Sequence, residues 1–352
     1  MIKPLTSLRF FFAFCVFLSH LSYLKDDGRY KGIFNAVFSE GFLGVSFFFI
    51  LSGFILALNY REKFISKKIT FKKFYIARFA RIYPLYFITM LASIPALYSS
   101  FKILLYNIFL LQSYIPDQNY FFSYNAPSWS ISDEMFFYAL FPVLIAIIYK
   151  LKKAFKIILV AGFVSLIIAL NLILTEDEAH CWLYISPFTR IFDFILGILL
   201  FDVALYLKSK RSRLNQNIFN LFEAGGIFIL VVFFIFHDDL PISYRFSIYY
   251  WLPMCLIILS AANSFILEKS TTLISKFLSW KWFVYLGEIS FGFYLIHYLV
   301  ITYLMKYNGL MGIHLKGIPF AAAMFIITLI TSIFAFEVIE KPFNKKIKNL
   351  LL

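Results

Sequence analysis

Ten stretches of about 20 predominantly apolar residues recur along the chain, near 5–24, 41–59, 82–99, 130–149, 156–174, 186–206, 218–236, 246–264, 282–303 and 317–338. A helix of about 20 residues, rising about 1.5 Å per residue, covers a hydrocarbon layer about 30 Å thick. Inside lipid no water satisfies backbone N–H and C=O groups, so only helices and closed barrels cross it. The pattern therefore predicts an all-α, polytopic integral membrane protein of about ten transmembrane helices. Composition excludes a soluble reading: 61% of the residues are hydrophobic and 15% charged, against about 45–50% and about 25% in soluble domains. A soluble domain has to cover itself with polar surface, and this chain has too little of it. The apolar stretch 101–115 is too short to span and reads as a re-entrant or interfacial segment.

The loops orient the helices. Basic residues gather in alternate loops: Arg61, Lys63, Lys67, Lys68, Lys72, Lys73, Arg78 and Arg81; Lys150, Lys152, Lys153 and Lys156; Lys208, Lys210, Arg211 and Arg213; Lys269, Lys276 and Lys281; and Lys341, Lys345, Lys346 and Lys348 at the end. The intervening loops carry Asp117, Glu176, Asp177, Glu178, Asp238 and Asp239 instead. The positive-inside rule then puts both termini in the cytoplasm, which requires an even number of spans. The net charge of +14 is accounted for by this topology, so no nucleic-acid partner is implied. Cys15, Cys181 and Cys255 show no metal-like or redox spacing and read as small hydrophobes. No small-residue cleavage site follows the first apolar stretch, so it is expected to stay in the mature chain. With no repeat or long linker, residues 1–352 read as one transmembrane domain.

Ionisable groups inside spans are costly, and each is a candidate functional residue. Arg9 and His20 lie eleven residues apart in the first span. At about 100° per residue they share a face, about 16 Å apart along the axis. Arg78 and Arg81 share a face where the third span begins; two guanidinium forks there suit phosphate, or simply anchor the helix end. The segment Asn125-Ala-Pro-Ser-Trp-Ser-Ile-Ser-Asp-Glu134 opens the fourth span, with Ser130 and Glu134 neighbours on one face. Arg190 and Asp193, three apart in the sixth span, either neutralise each other or join His297 of the ninth span in a polar chamber. By depth alone His20, Glu134, Arg190, Asp193 and His297 all fit one chamber open to the outside; sequence does not say which helices touch. Phe and Tyr are spread over every span and read as packing and interfacial belts.

These residues resemble the membrane acyltransferase 3 family, which includes bacterial O-acetyltransferases of surface glycans. The resemblance rests on Arg9 and His20 with ten residues between them, Gly44-Val-Ser-Phe-Phe-Phe-Ile-Leu-Ser-Gly53, Arg78-Phe-Ala-Arg81 with Ile-Tyr-Pro84, and Trp129-Ser130 with Glu134 and Tyr138. It continues through Arg190 with Gly197, Leu286-Gly-Glu-Ile-Ser290 running to Tyr294 and His297, and Glu340-Lys-Pro342. Ser46 departs from it, since many members carry Asp there. The chain stops soon after the tenth span, so no fused extracytoplasmic esterase-like domain is expected.

The resemblance implies an acyl-CoA-dependent O-acetyltransferase of the bacterial inner membrane. It would move an acyl group, usually acetyl, from acetyl-CoA or another acyl-CoA on the cytoplasmic side to a hydroxyl of a cell-surface or lipid-carrier-linked glycan, such as a lipopolysaccharide or other polysaccharide unit. No metal is implied. Its implied donor-binding residues are Arg9, Arg78 and Arg81; its implied catalytic residues are His20, as base or acyl acceptor, and Glu134, as the acid that orients the imidazole. Ser130, Arg190 and His297 fall around the acceptor or in helix packing. The competing reading is a glycan or lipid flippase without acyl chemistry, against which stands the lack of an internal repeat or of matched broken spans.

Overall fold

Every one of the ten apolar stretches forms a helix in the computed structural model, which describes residues 2–268, 271–308 and 316–351. Lys269, one of the loop cations, lies outside the described residues. The principal helices are α1 (Lys3–Ser19), α2 (Leu43–Ile65), α3 (Phe71–Leu97), α4 (Trp129–Lys150), α5 (Lys153–Ile173), α6 (Pro187–Ser209), α7 (Gln216–Ile235), α8 (Trp251–Ala261), α9 (Lys281–Tyr307), α10 (Gly317–Ala335) and α11 (Lys341–Leu351). No strand occurs among the described residues.

Among the described residues, seven helices are long and apolar enough to cross a membrane, where the sequence suggested about ten. The other three positions are helical too, but each falls short for a visible reason. Helix α1 has 17 residues and α8 only 11, and α6 carries Arg190, Asp193, Asp202 and Lys208. The stretch 101–115 breaks into Phe101–Ile108 and a short turn Gln112–Tyr114, as its length required. The Ser100 side chain caps the first piece by accepting from the Ile103 N–H.

The chain divides into two compact units. The first comprises Met1–Phe12, Leu43–Lys68 and Leu140–Glu288. Its centre is the pairing of α2 with α6, made possible by two glycines. A Cβ on Gly53 would sit 2.0 Å from the Phe194 carbonyl oxygen, and one on Gly197 would sit 1.9 Å from that of Ile50. Small residues let helix backbones touch where lipid supplies no hydrophobic drive between them. Arg61 and Lys156 both grip Asp202 at 2.5 Å. In α5 and α7 very few residues are buried, as suits helices wetted by lipid.

The second unit comprises Ala13–Phe42, Ile69–Ala139 and Ile289–Leu352. Phe17, Phe293 and Phe325 meet ring against ring in its interior, with centroids 5.8 to 6.0 Å apart. The Tyr86 hydroxyl donates to the Asn107 carbonyl at 2.6 Å, and the Asn107 amide to Ser123 at 2.8 Å. These bonds fasten the broken 101–115 segment to α3. Helix α10 ends in a widened π-type turn, Phe336–Glu340, which leads into the amphipathic α11 lying along α3.

Candidate active site

His20 is the first residue beyond α1, half-buried, and it stays in the hydrogen-bonding frame of that helix. Its Nδ1 lies 2.8 Å from the Val16 carbonyl oxygen and 3.2 Å from Nε2 of His297, a fully buried residue of α9. The carbonyl is only an acceptor, so Nδ1 of His20 carries the proton. The same N–H then reaches the His297 Nε2 lone pair as a second, longer branch, and the His297 proton sits on its own Nδ1. The chemical consequence falls on His20: its Nε2 is left unprotonated, with a lone pair available as a base or nucleophile. Tyr298 packs edge-on to the His20 ring at 5.3 Å, while Phe17 and Tyr294 hold His297.

The segment that opens α4 fastens itself to α9 just below this pair. The Asn125 amide donates to the Leu295 carbonyl at 2.8 Å. The hydroxyls of Ser130 and Tyr294 lie 2.8 Å apart and share the Pro127 carbonyl, at 2.9 and 3.1 Å. Each hydroxyl has one proton, so one donates to Pro127 and the other donates to its neighbour. Ser130, a candidate acceptor-binding residue by sequence, is thus seated in the joint between two helices.

One turn along α4, the Glu134 carboxylate accepts the Tyr138 hydroxyl proton, and the Arg78 guanidinium lies 5.8 Å from the Tyr138 ring. Arg81, one turn from Arg78 on α3, donates to the buried carboxylate of Glu340 at 3.3 Å. The widened turn at Phe336–Glu340 is what carries Glu340 to that position, a distortion common at functional sites. Lys348 of α11 lies near enough to Arg78 and Arg81 to feel both charges. Arg78, Arg81 and Lys348 therefore bring positive charge to the part of α3 on which α11 lies, and Glu340 is paired with Arg81.

The second unit thus holds His20, Glu134, Ser130, His297, Arg78 and Arg81. The remaining sequence candidates belong to the first unit. Arg9 is half-buried in α1. Arg190 is fully buried and engaged: 3.0 Å from Asp193, 2.5 Å from the Phe246 carbonyl and 2.8 Å from the Ser46 hydroxyl, with the rings of Phe49 and Tyr184 on either hand. Trp251 donates its indole N–H to Asp193. Of the two readings left open for Arg190 and Asp193, mutual neutralisation is the one their contacts support. Ser46, the departure from the family pattern, accepts from Arg190 and donates to Phe246 at 3.2 Å. By sequence Tyr294 and Glu340 stood only within the family pattern, Asn125 as the start of its segment and Lys348 as a loop cation; none was given a part in the site, because contacts with distant helices carry no local signal. Among the described residues no group of three or more His, Cys, Asp or Glu has the geometry to hold a metal ion.

Comparison with known proteins adds the following. A family model described as an acyltransferase domain matches residues 3–337. The acyltransferase MdmB of Streptomyces mycarofaciens is 29% identical over 332 residues, 86% of this chain and 79% of MdmB. A putative O-acetyltransferase of Staphylococcus aureus (strain COL) is 27% identical over 331 residues, 87% of this chain and 53% of the relative. The O-acetyltransferase OatA of Staphylococcus aureus (strain NCTC 8325 / PS 47) is 27% identical over 338 residues, 88% of this chain and 53% of OatA. The chain therefore spans about half the length of these two staphylococcal relatives. No solved structure matches it.

Proposed function

The chain belongs to the membrane acyltransferase 3 family, and from that premise we propose that it transfers an acyl group, acetyl in the simplest case, from acyl-CoA to a hydroxyl of a cell-surface or lipid-carrier-linked glycan. It does so in the bacterial cytoplasmic membrane, with about ten helices crossing and both termini inside. The reading is carried by one observation: His20 has its Nδ1 proton tied to Val16 and His297, which leaves Nε2 as a base in the same unit as the Arg78–Arg81–Lys348 cluster.

The cations take the phosphates of the coenzyme at the cytoplasmic border. Guanidinium forks donate paired, charge-assisted hydrogen bonds to phosphate oxygens, and Glu340 holds Arg81 in place for them. On the family resemblance alone, Arg9 is proposed as a further donor-binding residue. The pantetheine arm then runs inward, past Glu134, whose carboxylate accepts from its amide N–H groups. At the outer end, Nε2 of His20 removes the proton of the acceptor hydroxyl as its oxygen attacks the thioester carbonyl. The carbon–sulfur bond breaks, and His20 returns the proton to the departing sulfur, giving the ester and free coenzyme A. His297 takes the orienting part expected of Glu134. Ser130 and Arg190 act by holding helices rather than by touching substrate.

The test is acetyl-CoA consumption by purified protein in detergent, with His20→Ala and Arg78→Ala/Arg81→Ala beside it. We expect turnover to fall by roughly 10²–10⁴ in the first and the donor KM to rise in the second. Well-folded protein that binds no acyl-CoA sinks the proposal and favours a flippase.

A further inference from the structure

Where α7 passes α8, the first unit holds a polar cluster that the proposed reaction does not use. Glu223 is the single charged residue of α7, and it lies about 10 Å along the axis from the end that follows the basic loop 208–213. Around it stand Ser260, Asn263, Thr272 and Ser275, all of them buried. We infer that these side chains hold one alkali cation, Na⁺ or K⁺.

Charge is the first argument. An ionised carboxylate inside a span needs a partner. The other acidic side chains in the interior of this unit have one: Asp193 pairs with Arg190, and Asp202 with Arg61 and Lys156. Glu223 is half-buried, and among the described residues no Lys, Arg or His pairs with it. Its Oε1 accepts from the Thr272 hydroxyl at 2.7 Å and from that of Ser260 at 3.4 Å. Those bonds bring no positive charge.

The placing of protons is the second. Thr272 gives its one hydroxyl proton to Glu223, so its lone pairs take the Asn263 amide at 3.2 Å and the Ser275 backbone N–H at 3.3 Å. Asn263 must therefore turn its nitrogen toward Thr272, and the second proton of that nitrogen goes to the Ser275 hydroxyl at 3.3 Å. The orientation of the amide is fixed by its neighbours. Its Oδ1 is left buried beside them with no donor among the described residues, a costly state for an enclosed acceptor. Open lone pairs remain on Asn263 Oδ1, on Glu223 Oε2 and on the Ser260 and Ser275 hydroxyls. What the cluster lacks is a positive centre.

The donors select the ion. All are oxygens, which suit hard cations. One carboxylate balances one positive charge, so a monovalent ion leaves the site neutral, whereas a divalent ion leaves a net charge out of water. Neutral oxygens that replace a hydration shell are the usual means of holding an alkali ion. Close helix packing brings them together: a Cβ on Gly226, one turn beyond Glu223, would sit 3.1 Å from the side chains of Leu256 and Ile257 on α8. Without that approach Ser260, one turn further along α8, would not reach the carboxylate.

The test compares sodium, potassium and choline chloride at one ionic strength, choline being too large for the site. Full-length protein in detergent should melt about 2 °C or more higher in sodium or potassium than in choline, saturably. The difference should vanish in Glu223→Gln, which keeps the shape and loses the charge. In Ser260→Ala it should persist but need roughly 2- to 12-fold more salt. Equilibrium binding of radioactive sodium, with rubidium standing for potassium, reads occupancy directly and should fall to background in Glu223→Gln. Equal melting in all three salts, or a Glu223→Gln protein that responds to sodium as the wild type does, would overturn the inference. So would a wild type indifferent to the cation whose Glu223→Gln variant melts higher, since the carboxylate would then be an uncompensated cost to the fold. Acyl transfer enters neither readout, so the result stands whatever becomes of the acyltransferase reading.

Discussion

Replacing His297 with leucine removes the second acceptor of the His20 Nδ1 proton and leaves the Val16 carbonyl as the first. The lost branch is the longer one, 3.2 Å against 2.8 Å. A neutral hydrogen bond of that kind contributes about 0.5–1.5 kcal/mol net, which corresponds to roughly 2- to 12-fold in the preference for the productive tautomer. Removing His20 itself takes away a general base, a loss of roughly 10²–10⁴. The expected order of turnover is therefore wild type, then His297→Leu within about tenfold, then His20→Ala far below. His297→Gln, whose amide oxygen can accept the same proton, should recover part of the difference. The assay is acetyl-CoA turnover at saturating donor, with donor KM recorded so that binding and chemistry separate. A His297→Leu enzyme that loses more than a hundredfold would refute the reasoning, because His297 would then be performing chemistry rather than positioning its neighbour. So would a glutamine variant no better than leucine.

At the other end of the unit, Arg78→Ala and Arg81→Ala should each raise the donor KM by roughly 10- to 100-fold, taking about 1.5–3 kcal/mol for a hydrogen bond to a charged group; an unchanged KM in titrations of acetyl-CoA would count against a phosphate site. Gly197→Ala places a Cβ 1.9 Å from the Ile50 carbonyl and should lower the melting temperature, at a cost of about 1–3 kcal/mol. Gly162→Ala in α5 meets nothing within 4 Å and should leave it unchanged or raise it by the equivalent of about 0.5–1 kcal/mol. Arg190→Met strands a buried Asp193 carboxylate, costing about 3–5 kcal/mol, and most of that should return in Arg190→Met/Asp193→Leu; equal melting temperatures for the single and double variants would show that the pair is not coupled.

Hydropathy made the helices legible because a lipid solvent imposes the same demand at every span, and all ten stretches are helical in the fold. It overstated their uniformity at α8, where the apolar run 246–264 is divided between short turns and an 11-residue helix. Position along a helix was legible too, because it follows from counting. Azimuth and partner were not. His20 and His297 are 277 residues apart, and nothing local to either says that their rings meet. Arg190 and Asp193 share the depth of the other candidates by count, yet they close on each other and on Ser46 and Trp251 within a different unit. Glu340 was visible only as part of a motif; its contact with Arg81 depends on one widened turn that no propensity scale marks.

Ion pairs occur in both units, and what distinguishes the proposed donor site is a second and third cation close to one of them. In the first, Arg190 is answered by Asp193, and Asp202 by Arg61 and Lys156. These are closed arrangements, and breaking one leaves a charge without its partner in a low-dielectric setting, a stability effect. In the second, Arg81 is answered by the buried Glu340, and Lys348 lies near enough to feel the charges of both Arg78 and Arg81. Like charges repel, and a bound polyanion relieves the repulsion. Substitutions at Arg190 should accordingly change the melting temperature and leave the donor KM of the folded protein alone, whereas Lys348→Ala should raise that KM while leaving the melting temperature the same or higher. A Lys348→Ala protein that melts lower and binds donor as before would place Lys348 with the scaffold and shrink the proposed phosphate site to the two arginines.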